Sequence, residues 1–451
     1  MHVVVIGASV AGLFTAAAAA ANGCRVTLLE RDVLAAGPPE PRPGVPQGAQ
    51  LHVFLHRGVI AAETLLPGLT HDLAHEGAVP VDTTYLPWLG EHGWTPAGVH
   101  GYTIWSCTRP LLEGVVRRRV TALAGVEVRD GVHVDGLRRH GTGWQVVVKG
   151  AEPLTADAVV DASGRSSRLA AWLSPLGVPA PVTKTVDARL GYATRRYRGD
   201  AASGAVVLAT TDQPRGGLAL PVEGGQWLVV AVGFGQDRPP RDAEGFEAHL
   251  GRLRDPAVAD VAAVLTPVGD VAVHRQTANV RRHYGRLRSW PAGLLVVGDA
   301  LCSFDPIYGQ GITVAACQAV ELGPRLTGVA GDARATRRLQ RRIARIANLP
   351  WAIATGEDAR FPTSGTGQTR SQALFSAWAR EVGHLGVCGD RRAGVTLSTL
   401  YHLMGSPWAL LHPALFTAAA RARVRGYGPS APRPAVLSDG PGLTAEPRRR
   451  R

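Results

Sequence analysis

A short turn near the start of the chain carries residue types that can bind a pyrophosphate. Gly7, Ser9, Ala11 and Gly12 directly follow the apolar run 3–6. Glycine at position 7 permits a tight turn, and glycine at position 12 allows a helix to pack closely on a strand. The helix that follows would direct its free N–H groups and the positive end of its dipole at a phosphate. Serine stands where the G-x-G-x-x-G motif has its middle glycine, so the motif is incomplete.

The sequence around this turn supplies the context that the motif requires. The pattern predicts a strand over 3–6, then an alanine-rich helix that runs on to about position 21, and a second strand over 25–29, followed by Glu30 and Arg31. A carboxylate at this place in a dinucleotide-binding unit accepts hydrogen bonds from ribose hydroxyls. We therefore expect a dinucleotide site. The alternative is an ordinary α/β domain whose first helix is rich in alanine.

A second set of residues of similar character lies near position 300. The run 293–297 predicts a buried strand that ends just before Asp299. A turn containing proline and glycine then leads into a helix expected over 312–326. The N-terminus of that helix would stabilise negative charge on a ligand placed against it. The candidate residues of this segment are Asp299, Pro306, Gly309, Gly311 and Ile312.

Other stretches could contribute to the same ligand site. The loop 37–48 contains five prolines and three glycines, which exclude a regular element, and it includes Gln47. Arg109 lies at the start of an expected helix. A further helix is expected over 52–66, where His52 faces either solvent or a ligand.

Aromatic side chains are concentrated between positions 78 and 105. They could form the wall of an apolar pocket, or they could simply pack in the core. The pocket candidates are Tyr85, Trp88, Trp94, Tyr102 and Trp105.

Composition restricts the class of protein. The 451 residues include 49 lysines and arginines against 36 acids, a net charge of +13. Only Lys149 and Lys184 are lysines, and the arginines are dispersed, so we expect no nucleic-acid partner. The five scattered cysteines favour reduced thiols in the cytoplasm and no metal site. We expect no signal peptide and, without an apolar run of about 18 residues, no integral membrane association.

The order of patterns predicts an α/β fold with a Rossmann-like domain, an inserted antiparallel sheet and a helical C-terminal region. Alternating runs joined by tight turns, such as Glu223-Gly224-Gly225, indicate the antiparallel part. The expected units are a ligand-binding domain in two parts (1–184 and 291–330), an antiparallel β substrate domain (185–290), a helical region (331–426) and a disordered tail (427–451).

These motifs together resemble the FAD-dependent monooxygenase superfamily with the para-hydroxybenzoate hydroxylase fold. The resemblance implies that 7–30 binds the ADP part of FAD and that Asp299 holds the ribityl chain. It also implies that the backbone at Gly311 and Ile312 faces the flavin ring and that Arg109 contacts FAD. The superfamily has Asp-Gly where this chain has Ser163-Gly164. That motif is tied to NAD(P)H use, so a separate flavin reductase could pass electrons from NAD(P)H.

Within the superfamily, three stretches look like the flavin epoxidases of polyether antibiotic biosynthesis. These stretches are 42–48, 160–165 and 298–311. The resemblance implies that reduced flavin and O₂ form a C4a-hydroperoxide, which epoxidises an alkene in a lipophilic polyketide or terpenoid. Catalytic side chains are not nominated, because the cofactor carries this chemistry.

Several other functions remain open at this point. The same oxidant supports aromatic or aliphatic hydroxylation, and an FAD-dependent isoprenoid double-bond reductase shares the Gly298–Asp299 region. A halogenase is disfavoured, because the first lysine is Lys149 and no W-x-W-x-I-P element is present. A non-enzymatic flavin-binding protein is the remaining alternative.

Overall fold

The apolar runs at the start of the chain form the centre of a parallel sheet. The computed structural model describes residues 1–35, 37, 40–98 and 101–435. The strands in chain order are β1 (His2–Ile6), β2 (Arg25–Leu29), β3 (Leu51–Phe54), β4 (Val79–Asp82), β5 (Trp88–Gly90), β6 (Gly93–Trp94), β7 (Thr103–Thr108), β8 (Val126–Arg129), β9 (Val134–His140), β10 (Gly143–Val148), β11 (Leu154–Ala156), β12 (Ala158–Asp161), β13 (Thr183–Val186), β14 (Leu190–Arg198), β15 (Ala205–Val207), β16 (Arg215–Val222), β17 (Gln226–Phe234), β18 (Thr266–His274), β19 (Asn279–Arg282), β20 (Leu294–Val296) and β21 (Cys302–Ser303).

Helices connect and cover these strands. In chain order they are α1 (Val10–Ala21), α2 (His56–Leu65), α3 (Leu69–His75), α4 (Arg109–Thr121), α5 (Leu169–Leu173), α6 (Ala243–Leu250), α7 (Ala257–Ala263), α8 (Gly311–Leu322), α9 (Ala333–Ile346), α10 (Asn348–Asp358), α11 (Arg370–Val387), α12 (Arg391–Tyr401) and α13 (Pro413–Arg425). Nowhere in the described ranges does a helix combine the length and apolar character that crossing a bilayer requires.

The parallel sheet has the strand order β20-β12-β1-β2-β8. Val3, Val4 and Val5 of β1 are fully buried, because this strand lies between β12 and β2 in the sheet, with α1 packed on it and strands β10 and β11 packed against β12 and β1. Helices α1 and α8 pack against each other on this sheet, so the two motif segments meet at one edge. This arrangement confirms the predicted α/β class and its Rossmann-like part.

A mixed seven-stranded sheet forms the second layer, in the order β18-β14-β17-β16-β15-β5-β6. Its pairs are antiparallel except for β15 with β5. The predicted turn at Glu223-Gly224-Gly225 joins β16 to β17, and Asp242 caps α6 as a short polar residue can. The hairpin of β5 and β6 belongs to this sheet. The sequence predicts it to be part of the ligand-binding domain, 1–184.

The prediction of a helix over 52–66 is wrong at its N-terminal end. His52 lies on β3, which pairs with β7, and α2 begins at His56. The spacing of the apolar residues in this segment fits both the period of a helix and that of a strand. Because the segment pairs with β7, it forms a strand.

The helical region follows α8, and the chain after α13 stays in contact with it. Tyr427 donates a hydrogen bond to Glu381 at 2.5 Å, and Ala431 bridges to Trp94 of β6. Arg433 forms ion pairs with Asp255 and Asp260. The expected disordered tail thus includes a packed part, 427–435, whereas 436–451 lies outside the described residues.

Candidate cofactor site

The turn between β1 and α1 has the geometry that its glycines predict. Gly7 has a φ of +100°, and a β-carbon there would lie 2.6 Å from the Ala162 carbonyl oxygen. A β-carbon on Gly12 would lie 1.8 Å from the carbonyl oxygen of Gly7. Only glycine permits this approach of helix to turn. The first N–H groups of α1 have no partner within the helix, so they remain available to an anion.

Ser9 lies at the start of α1 but does not cap it. Its hydroxyl donates to Glu113 at 2.9 Å and accepts from the Arg109 guanidinium at 2.7 Å. Arg109 begins α4 and is itself buried, 3.4 Å from the Glu113 carboxylate. The structure therefore brings Arg109 to the first turn of α1, as a residue that contacts the phosphates must be.

Glu30 is buried at the end of β2, where its carboxylate organises the adjoining loop. It accepts hydrogen bonds from the N–H groups of Ala8 at 2.8 Å and Asp32 at 3.1 Å. Arg42 lies 3.2 Å from Glu30 and 2.7 Å from Glu113. An ionised carboxylate has about four acceptor positions, so ribose hydroxyls can still bind.

Arg31 and Gln47 lie further out. Arg31 is exposed and forms a weak ion pair with Asp32 at 3.8 Å. Gln47 is half-buried, and its carbonyl accepts from the N–H of Gln50 in a turn. Neither side chain has a contact that assigns it to the site.

The two motif segments touch directly. A β-carbon on Gly298 would lie 2.7 Å from the Cβ of Ala11, so α1 and the segment after β20 meet without a gap. Gln318 of α8 accepts from the Gly298 N–H at 2.7 Å and holds this segment in place. The site is thus continuous from Gly7 to the start of α8.

Asp299 directs a half-buried carboxylate towards the N-terminus of α8. The nearest described atom to a β-carbon built on Gly311 is its Oδ1, at 3.9 Å. Burial raises the pKa of Asp299, and the positive charges of Arg165 and Arg109 oppose this shift. Behind it, Arg282 donates to the carbonyl oxygens of Asp299 and Ala300.

The start of α8 has open space and unsatisfied polar groups. In the described part of the chain, Gln310 Nε2 and Oε1 are buried without a hydrogen-bond partner. Buried polar groups are nearly always paired in native proteins, so these fit a polar ligand against α8. Gly309 has a φ of +63°, which the turn from Pro306 into Ile312 requires.

A buried carboxylate pair supports this turn from behind. Asp358 accepts from Asn279 at 2.6 Å and from the Tyr308 hydroxyl at 2.8 Å. The Asp305 N–H donates to the Asn279 side chain at 2.8 Å. Burial raises the pKa of Asp358 to about 7, and nearby Glu357 also raises it, against the two hydrogen bonds. Burial and the Asp358 charge raise the pKa of Asp305 as well.

Sequence reasoning missed the contacts that polar residues beside β3 make with the seven-stranded sheet. Gln50 accepts from Thr194 of β14 and donates to the Ala272 carbonyl of β18 at 3.0 Å. Burial and the charge of Arg109 lower the pKa of His52 to about 3, so this histidine is neutral. These contacts join residues 144 and 222 positions apart, which no local pattern reveals.

The aromatic candidates are divided among different surroundings. Trp88 and Trp94 belong to the core of the seven-stranded sheet, and Trp88 contacts the ring of Tyr401. Tyr102 packs between His56 and His402, with centroid distances of 5.2 and 4.8 Å. Trp105 packs on the core of the parallel sheet, and Tyr85 is 42% exposed. The structure does not gather all five at one surface.

A family model described as an FAD binding domain matches residues 1–355. The chain belongs to this family. This match confirms the prediction of an FAD-dependent enzyme of the monooxygenase superfamily. The site also fits the cofactor. Its free N–H groups and Arg109 suit the pyrophosphate, and the unsatisfied groups at α8 suit a polar ring.

Similar proteins are known in sequence and in structure. Protein Rv3254 of Mycobacterium tuberculosis is 34% identical over 342 residues, which cover 71% of this chain and 72% of that protein. PqsL of Pseudomonas aeruginosa, a probable FAD-dependent monooxygenase, has 18% identity and a TM-score of 0.60, covering 80% of this chain and 98% of its own. OxyS anhydrotetracycline hydroxylase from Streptomyces rimosus has 18% identity and a TM-score of 0.58, covering 90% and 77%. The two structural likenesses concern the fold.

The open space at Gly311 generates a prediction that separates cofactor binding from stability. Gly311→Val should leave the free energy of unfolding of the FAD-free protein within about 1 kcal/mol, since Asp299 is the nearest neighbour. The affinity for FAD should fall at least about tenfold, because the side chain would fill space against α8. Fluorescence titration with FAD measures the affinity.

The control for this variant is Gly328→Val, at a glycine with no described atom within 4 Å of a β-carbon. It should leave FAD affinity unchanged. Wild-type affinity in Gly311→Val would contradict the placement of the flavin at α8.

The carboxylate pair predicts a pH dependence of stability. The pKa of Asp358 is raised from 3.8 to about 7 in the folded chain, so the folded state binds a proton that the unfolded state releases. The free energy of unfolding contributed by Asp358 is therefore lost as pH rises between these values. Asp358→Asn should reduce the loss between pH 5 and 8 by on the order of 1–3 kcal/mol.

Urea denaturation at several pH values measures this effect. The control is Asp332→Asn, at an exposed acid whose pKa is lowered by the N–H of Ala335. Its free energy of unfolding should change with pH as that of the wild type does. Equal slopes in Asp358→Asn and wild type would refute the assignment.

Proposed function

We propose that this protein is a monooxygenase that epoxidises a carbon–carbon double bond in a lipophilic polyketide or terpenoid, as part of antibiotic biosynthesis. Bound FAD would supply the two-electron activation of O₂. The residues that we propose hold it are Gly7, Ser9, Ala11, Gly12, Glu30, Arg31, Gln47, Arg109, Asp299, Pro306, Gly309, Gly311 and Ile312.

The observation that carries the proposal is an apolar cluster between the flavin-binding turn and the seven-stranded sheet. Ile307, from the turn before α8, packs on a cluster that includes Tyr192, Val230 and Val232. Phe234 stacks on Phe361 of the helical region, with ring centroids 3.7 Å apart. A packed apolar layer beside the flavin-binding turn suits a lipophilic substrate and would exclude water from a reactive oxygen species.

The histidines and the tyrosine near this apolar layer are neutral. Burial lowers the pKa of His52 to about 3 and also lowers the pKa of His274. Burial and the Asp305 charge raise the pKa of Tyr192. Epoxidation removes no proton from the substrate, whereas a phenol that is hydroxylated on its ring is commonly activated by a base. These three groups are therefore weak bases at neutral pH, which favours the alkene.

The proposed reaction balances with one external reductant. One atom of O₂ enters the double bond and the other leaves as water, so two electrons and two protons are consumed. The role of this chain is to orient the alkene, exclude water and hold the flavin between α1 and α8.

We propose that NAD(P)H supplies the electrons through a separate flavin reductase. Ser163 occupies the usual position of an acid, and its N–H and hydroxyl both donate to Asp161, at 3.0 and 2.5 Å. Both hydrogen-bond donors of the serine are therefore used at the end of β12. All five cysteines are free, which supports a cytoplasmic location.

Isotope labelling tests the reaction. Turnover under ¹⁸O₂ with FAD, NADH and a flavin reductase should place one labelled oxygen atom per oxidation in an epoxide, read by mass spectrometry. A product with two added hydrogens and no label would indicate a double-bond reductase. A labelled ring hydroxyl would indicate an aromatic hydroxylase, and a halogenated product a halogenase.

Anaerobic stopped-flow reduction tests the electron source. NADPH alone should bleach the flavin absorbance slowly, whereas adding a reductase should restore turnover. Fast bleaching by NADPH alone, stimulated by substrate, would refute the need for a partner. Ser163→Asp, which restores the usual acid, serves as the matched variant.

A further inference from the structure

A cavity of about 470 Å³ lies between β19, the turn 284–286 and the C-terminal half of α9. Its volume is typical of a small-molecule site. The charged and titratable residues that line it are Arg281, Arg282, His283, Arg286, Arg341 and Arg345. Of the described residues that line it, none is acidic.

Three of these arginines are held in place by backbone carbonyls. Arg281 donates to the carbonyl oxygen of Ala344 and to the Asn348 side chain, at 2.9 and 2.5 Å. Arg341 donates through Nε to the Gly285 carbonyl at 2.9 Å. Arg282 donates to the Arg165 carbonyl at 2.8 Å. Bonds to neutral carbonyls fix the guanidinium groups but leave their charge uncompensated.

The charge in the cavity affects its own members. Burial lowers the pKa of Arg281, and repulsion from Arg286 lowers it further. Burial lowers the pKa of His283 to about 4, with repulsion from Arg286, Arg281 and Lys184. Within the described chain, the buried His283 Nε2 has no hydrogen-bond partner. The nearby acid Glu321 pairs with Arg325 and Arg342, which do not line the cavity.

Arg282 is the one arginine of the cavity whose charge is compensated by acidic groups elsewhere in the described structure. It also stabilises the charges of Asp161 and Asp299, on the side of the cofactor site. The other arginines of the cavity have no such compensation among the described contacts. Four guanidinium groups, those of Arg281, Arg286, Arg341 and Arg345, therefore converge without a counter-charge.

We propose that this cavity binds a phosphoryl or pyrophosphoryl group of a small molecule. Guanidinium forks match the oxygen atoms of a phosphate, and several of them bind a group that carries two or more charges. Because three of its arginines are fixed by hydrogen bonds, the cavity suits a compact anion. The proposal does not depend on the reaction proposed above.

Calorimetric titration of the FAD-loaded full chain with pyrophosphate tests this site at low salt. FAD occupies the other phosphate-binding site, so one binding event is expected. Arg341→Gln with Arg345→Gln should weaken pyrophosphate binding at least about tenfold, because each lost guanidinium removes charge-assisted hydrogen bonds. Arg286→Gln, which breaks no hydrogen bond recorded for the fold, should weaken it by a smaller factor.

The matched control is Arg334→Gln with Arg338→Gln. It has the same helix, the same spacing and the same change in charge, but both residues are exposed outside the cavity. It should leave pyrophosphate affinity within about twofold of wild type, since distant surface charges are screened. An equal loss in both double variants would overturn the proposal, as would no binding at millimolar pyrophosphate.

Further titrations identify the source of the group. Tighter binding of NADP⁺ than of NAD⁺ would assign the cavity to a 2′-phosphate. Tighter binding of ADP than of inorganic phosphate would assign it to a diphosphate. Either outcome supports the proposal, provided that the cavity variants abolish the difference.

Discussion

The contact between Ala11 and Gly298 is the constraint on which the cofactor site depends. Two segments nearly 290 positions apart meet without space for one more carbon atom. This contact fixes α1 and α8 against each other, and Gln318 fixes it from α8. The N-termini of two helices consequently serve a single ligand, with Arg109 near one of them and Asp299 near the other.

The parts of the site that the sequence predicted are those in which local conformation determines function. Gly7, Gly12 and Gly309 each occupy a position where a side chain would collide or the backbone has a positive φ. Such positions leave a recognisable residue at a fixed spacing. The strand, helix and acid around Gly7 could be identified for the same reason.

The parts that escaped prediction depend on distant contacts. Arg42 joins Glu30 to Glu113 across the chain, and Gln50 joins β3 to the seven-stranded sheet. The β5–β6 hairpin enters a sheet whose other strands come later in the chain, so the domain boundary drawn from composition did not foresee it. The many aromatic residues between 78 and 105 likewise did not show which ring packs on the parallel sheet and which on the seven-stranded sheet.

The packed segment 427–435 has a consequence for how the molecule behaves in a crowded solution. Strand β6 is the last strand of the seven-stranded sheet, and Ala431 pairs with its Trp94. An uncovered strand edge is a template for pairing with another chain. The C-terminal segment lays a short stretch of backbone on this edge, and Arg433 secures it, so Trp94 is not left open to pairing with another chain.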